Sequence, residues 1–222
     1  MIKNILAAAA IGVVAMGAQA AGANEVLNGS FDANVASYQG NSYVYSAAPA
    51  SVTQFYGGTV PTAANPVDDW TGSFVSIAAN SGPWNTPSGL SGFDAATQGG
   101  FVAGVQADGT LSQALNLAAG EYTLSWTTAS RGADQTYSVL FAGTQVDKVT
   151  TIAGAGWTTE SVTFSTLGGT GLSFVGDTSF QNTDATSFID NVSVTAVPEP
   201  ASLLMMAVGT LGLLAWRRRA QV

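Results

Sequence analysis

The chain has 222 residues, with 6 Lys and Arg against 14 Asp and Glu, a net charge of −8, and neither cysteine nor histidine. Those absences exclude disulfides, thiol nucleophiles, cysteine- or imidazole-ligated metals and any Ser-His-Asp triad. The acidic balance excludes nucleic acid as a partner, because phosphates would meet almost no counter-charge.

Met1 to Ala20 reads as a secretory signal peptide. Lys3 is its positive n-region, Ile5 to Met16 its apolar h-region, and Ala18-Gln19-Ala20 an A-x-A site with cleavage before Ala21. The apolar run is too short for a membrane anchor. Residues 21–196 then form the exported body, a usual length for one domain. Its cations are Arg131 and Lys148 alone, and every acid of the chain except Glu199 lies in it. Thr, Ser, Asn and Gly take the place of charge on its surface.

Alternation with turn residues marks this body as all-β. Residues 33–67 hold no charge and residues 79–100 are rich in Gly, Ser, Asn and Pro, so both read as long connections or irregular edge strands. Leu111 and Leu115 suggest a strand that ends at an Ala118-Ala119-Gly120 turn. The next strand places Tyr122, Leu124 and Trp126 on one face and Thr123, Ser125 and Thr127 on the other. Tyr137, Val139 and Phe141 repeat the pattern, Val162 and Phe164 form another strand, and Leu172 and Phe174 the next. Phe188, Val192 and Val194 close the series. Short strands at roughly ten-residue spacing predict an antiparallel β-sandwich.

After the last strand comes Val197-Pro198-Glu199-Pro200, where proline ends any ladder because it lacks the backbone donor. Ala201 to Trp216 is uncharged and, as a helix, would reach about 24 Å, slightly short of a ~30 Å hydrocarbon core. Arg217, Arg218 and Arg219 follow, and would hold the far end in the cytoplasm. We expect residues 201–216 to form a transmembrane helix, with residues 217–222 as its basic end. The order of Pro-Glu-Pro, short apolar span and basic cluster resembles the PEP-CTERM sorting tail of Gram-negative bacteria, over residues 197–222. That resemblance implies an inner-membrane-anchored precursor, cleaved by an exosortase and released to the cell surface or exopolysaccharide matrix.

The body carries a second, looser resemblance. Asn28-Gly29-Ser30-Phe31-Asp32, Trp70, Gly109-Thr110-Leu111-Ser112-Gln113, Ala119-Gly120-Glu121-Tyr122-Thr123-Leu124-Ser125-Trp126, Trp157 and Phe188-Ile189-Asp190-Asn191-Val192-Ser193-Val194 follow in order. Together they resemble a jelly-roll, galactose-binding-like domain of the kind found in carbohydrate-binding modules. The long, nearly charge-free second segment departs from the polysaccharide-binding versions.

Asp190 is the most informative carboxylate. It shares parity with Phe188, Val192 and Val194, so strict alternation points it inward, where a charge needs a cation, backbone donors or a bulge. The module resemblance implies a structural calcium held by Asp32 and Asp190 with carbonyls near Gly29, although Asp32 is one methylene shorter than the glutamate usual there. Trp70, Trp84 and Trp157 are candidates for a sugar platform, the alternative being core or strand-end packing; Trp84, in a polar loop, is the most exposed of them. Arg131 could fork onto an acidic sugar's carboxylate or pair with Asp134.

These readings predict a non-enzymatic exported protein with an adhesive, exopolysaccharide-associated role in a biofilm or on the surface. The alternatives are a purely structural matrix protein whose sandwich self-associates, and a glycoside hydrolase built on an Asp/Glu pair.

Overall fold

Two very long strands carry the architecture. In a computed structural model, residues 23–32, 43–47, 62–63, 67–78, 100–177, 185–198 and 208–211 are described. The described strands are β1 (Tyr43–Tyr45), β2 (Trp70–Thr71), β3 (Val75–Ala78), β4 (Phe101–Gln106), β5 (Thr110–Ser130), β6 (Gln135–Phe141), β7 (Thr144–Thr151), β8 (Thr158–Gly176) and β9 (Thr186–Ala196). Every pairing between these described strands is antiparallel, in the order β1-β3-β4-β9-β5-β8-β6-β7, with β2 added to the start of β5.

β5 and β8 pair along nearly their whole lengths, from Thr110–Val175 to Thr128–Thr158. The ribbon they form folds over itself. The start of β5 and the end of β8 join β2, β6 and β7 in one layer; the end of β5 and the start of β8 join β9, β4, β3 and β1 in the other. Burial along β5 records the crossing. Leu111, Leu115 and Leu117 are buried at odd positions and Tyr122, Leu124 and Trp126 at even ones, with 118–121 unburied between them. The Trp126 indole N–H, in one layer, donates to the Tyr137 hydroxyl in the other at 2.7 Å. Its ring meets Phe174 edge-on at 5.7 Å, and Phe141 packs on Phe164 at 5.4 Å. The result is an antiparallel β-sandwich of jelly-roll type, as the sequence predicts.

Two expectations fail at the crossing. No turn interrupts the chain at Ala118-Ala119-Gly120, and Val162–Phe164 and Leu172–Phe174 belong to one strand. Local cues mislead here because the pairing continues through the bend, with one register shift between Gln113 and Asn116. Gly168, at φ +103°, takes the backbone conformation the bend requires, and Leu117 pairs with Gly169 across it.

The last strand ends at Ala196; Val197 N–H still donates to the Glu121 carbonyl at 2.8 Å, and Pro198 follows. Ala21–Val197 forms one compact unit, and the chain's two end segments fall outside it. Residues 208–211 are helical, and among the described residues no helix is long and apolar enough to cross a membrane. Ala18, Ala20, Ala21, Trp84, Glu199, Pro200, Arg217, Arg218 and Arg219 lie outside the described residues.

Candidate functional site

β9 loses its alternation at one point. Its register with β5 steps from Ser193–Ser125 to Asp190–Thr127, so Asn191 and Val192 together oppose Trp126. This is a bulge, and Asn191 holds it with φ +51°. Ile189, Val192 and Val194 all enter the main core, while Phe188 belongs to a second cluster on the outer face of its layer. Asp190 therefore shares the face of Phe188, not that of Val192 and Val194 as strict alternation predicts. The extra residue reverses the parity.

Asp190 is nevertheless only 2% exposed. Its carboxylate accepts the Asn191 backbone N–H at 2.7 Å and the Asn191 amide at 3.3 Å. Burial pushes its pKa up to about 8; the Asn191 N–H opposes the shift, and the negative charge of nearby Asp32 adds to it.

Asp32 reaches this place through the Asn28–Phe31 turn, closed by a 3.1 Å bond from Phe31 N–H to the Asn28 carbonyl. The turn lies directly on the bulge: Val192 N–H donates to the Gly29 carbonyl at 3.0 Å. A Cβ at Gly29 would collide with the Val192 carbonyl oxygen, so only glycine allows this approach. Asp32 is exposed and accepts the Phe101 N–H at 3.1 Å. Asn28, Phe31, Asp69 and Asn191 all have positive φ, and Phe31 is both bulky and buried. Such backbone strain persists where surrounding structure fixes a site.

Trp70 explains part of that strain. Its ring packs at 5.0 Å on Phe31, and its indole N–H donates to the Asn28 carbonyl at 3.0 Å. At 1% exposure it is a core residue that braces the turn, so it offers no face to a glycan. Of the two alternatives read for Trp70, a platform or core packing, its depth supports core packing.

A different aromatic group lies on the outer face. Tyr45, Val75, Ile77, Val102, Ala107, Ala129 and Phe188 form the second apolar cluster, and half-buried Tyr43 and Trp157 pack against it. The Trp157 ring sits 6.0 Å from Phe188, tilted by 36°. The Tyr45 hydroxyl donates to the Gln106 side chain. Arg131, whose backbone N–H donates to the Thr186 carbonyl at 3.0 Å, leaves β5 at the same end of the layer, since Thr128 pairs with Thr158 beside Trp157. The Asp134 carboxylate accepts the Ala153 N–H at 2.8 Å. Trp157 and Arg131 are thus brought to one end; Trp70 is not.

Sequence reading missed Asn191, whose two donors hold the Asp190 carboxylate, and the half-buried Tyr43; Tyr45 and Phe188, both buried, support this face from beneath. The Asp190-Asn191 pair was a usable signal, because asparagine tolerates positive φ better than most residues.

A family model for the PEP-CTERM protein-sorting motif matches residues 196–219. No curated protein matches the chain. Among solved structures it is similar to a family 35 carbohydrate-binding module from Clostridium thermocellum, at 14% identity and a TM-score of 0.42, over 59% of this chain and 94% of that one. It is similar to a cleaved adhesin domain of Lys-gingipain from Porphyromonas gingivalis at 13% identity and a TM-score of 0.44, over 59% and 92%. A xylan-binding domain from Paenibacillus barcinonensis gives 13% identity and a TM-score of 0.39, over 59% and 87%.

Proposed function

We propose that this chain, which its PEP-CTERM motif marks as exported and membrane-sorted, is a non-enzymatic sandwich delivered to the cell surface or extracellular matrix, where it binds exopolysaccharide. The observation that carries the sorting part is the position of the motif. It begins at Ala196, the last residue of β9, so an exosortase cutting within the tail would leave every strand intact. Replacing Pro198, Glu199 and Pro200 together by alanine is expected to leave the protein in the membrane fraction, read by fractionation and intact mass. Release at the parental rate would overturn the processing step.

Glycan recognition is assigned to the outer face around Trp157. An aromatic ring braced by Phe188, with Tyr43 on the same cluster and a guanidinium at the same end, has the composition of a sugar-stacking surface. Trp157→Ala is expected to weaken retardation by the producer's own polysaccharide in affinity electrophoresis by about tenfold, the scale of one lost stacking contact. Unchanged mobility with an unchanged melting curve would refute this placement. Arg131→Gln, compared on acidic and neutral fractions, tests whether the guanidinium reads a carboxylate.

The buried acid carries a second part of the reading, a structural calcium. Asp190 and Asp32 are close enough for one charge to raise the pKa of the other, a pairing that a hard cation relieves. Among the described residues no group of three or more acids converges, so backbone carbonyls and water would complete the oxygen shell. The Gly29 carbonyl, on the turn seated against β9, is the donor this reading assigns first. The ion would neutralise the two carboxylates and pin the Asn28–Phe31 turn to the last strand.

A further inference from the structure

We infer that the start of β8 is a self-pairing edge, through which two copies of this chain join their sandwiches into a continuous sheet. β8 pairs β6 only from Leu172 to Gly176, so from Thr158 to Thr166 it has β5 on one side and, among the described residues, no strand on the other. A long edge with open backbone donors and acceptors is a template for another strand. The remaining edges among the described strands are guarded. β1 and β2 are very short, and β7 carries Asp147 and Lys148 beside a register break at Val139/Leu140. β8 has neither device, and Glu160 is its only charge.

The edge is complementary to itself. Antiparallel partners on one face must have the same parity, so a two-fold axis through Val162 pairs residues whose numbers share one sum. Ser161 then meets the partner's Thr163, and Thr159 the partner's Ser165. These side chains are exposed hydroxyls, extending a ladder that already contains Ser125–Ser193 at 2.8 Å. Glu160 falls opposite the partner's Phe164, so no like charges confront one another. Leu167, 98% exposed, falls opposite the partner's Trp157, which gives an apolar contact at each end. Any even sum other than this one loses that pairing of Leu167 with Trp157. The occupant is therefore a second copy. This inference does not need glycan recognition, and since both use Trp157, glycan and a second copy would compete for that ring.

The test uses the full chain in a mild detergent, with mass read by light scattering up to concentrations of order 100 µM, where small interfaces populate. A dimer is expected. Val162→Lys puts two cations on the axis and Leu167→Asp removes both apolar ends; each should weaken association by about tenfold or more. Thr144→Lys, on the guarded edge, should leave it unchanged. The chain has no cysteine, so Val162→Cys with a short bis-maleimide should give one cross-linked dimer. A monomer throughout, or a dimer that survives Leu167→Asp, overturns the inference, as does dissociation by Thr144→Lys alone. Leu167 is almost fully exposed, so its variant keeps the test decisive should Val162→Lys fail to fold.

Discussion

Asp190→Asn is expected to stabilise the chelator-treated protein at pH 8 and to abolish its stabilisation by calcium. The two effects have opposite signs and one cause. In the folded chain the Asp190 pKa rises from 3.8 to about 8, chiefly through burial. Between those values the native state holds a proton that the unfolded chain has lost, so stability falls as pH rises through the window. The contribution is complete below about pH 4 and exhausted above about pH 8. At 1.36 kcal/mol per unit the swing is on the order of 5 kcal/mol without a counter-ion. Asparagine carries no charge and removes the slope. With calcium at about a hundred times its dissociation constant, the parent regains ~2.7 kcal/mol at pH 8, and the variant, lacking the carboxylate, gains nothing. Urea unfolding at pH 5 and pH 8, with chelator or with calcium, reads all four corners. Coincident parental curves with and without calcium would remove the ion from the account. A parent as stable at pH 8 as at pH 5 under chelator would show that Asp190 is satisfied as an anion by Asn191 alone.

Much of this fold is written in local alternation. Tyr122, Leu124 and Trp126, and again Tyr137, Val139 and Phe141, point inward because a half-buried strand repeats every second residue. The stop after Ala196 follows from Pro198, whose ring can donate nothing to a ladder. The ribbon's bend was illegible for a physical reason. Alanine and glycine at 118–120 suit a tight turn and an exposed crossing equally, and only closure of the two layers selects the crossing. β4 was missed because both its faces are buried, which erases alternation from Phe101-Val102-Ala103-Gly104-Val105-Gln106.

The site was half legible. A buried carboxylate in an apolar strand announces itself, and the Asn28-Gly29 turn needs its glycine for contact with Val192. The orientation of Asp190 was not available, since one residue at positive φ reverses every side chain beyond it. Nor does the identity of a tryptophan give its depth. Trp70 opens β2 and Trp157 immediately precedes β8, yet Trp70 supports a strained turn inside the core while Trp157 leans on Phe188 at the outer face.

Trp126→Ala is expected to cost about 3–5 kcal/mol, enough to unfold a marginally stable domain. The residue is 1% exposed, lies on the strand that belongs to both layers, and touches Phe174 across the interior. Its truncation opens a cavity between layers that the bent β5–β8 ribbon has little freedom to close. Trp126→Phe separates packing from polarity. It keeps an aromatic body but takes the indole donor from the Tyr137 hydroxyl, whose pKa burial already drives far up. The hydroxyl keeps its bond to the Thr128 side chain, so losing the indole donor costs roughly 0.5–1.5 kcal/mol. Tyr137→Phe in the same chain removes the under-partnered group, so the double variant should be more stable than the sum of its single losses. Guanidinium unfolding of the four proteins measures that coupling. Strict additivity would mean that the 2.7 Å bond contributes nothing and that the layers are held together by shape alone.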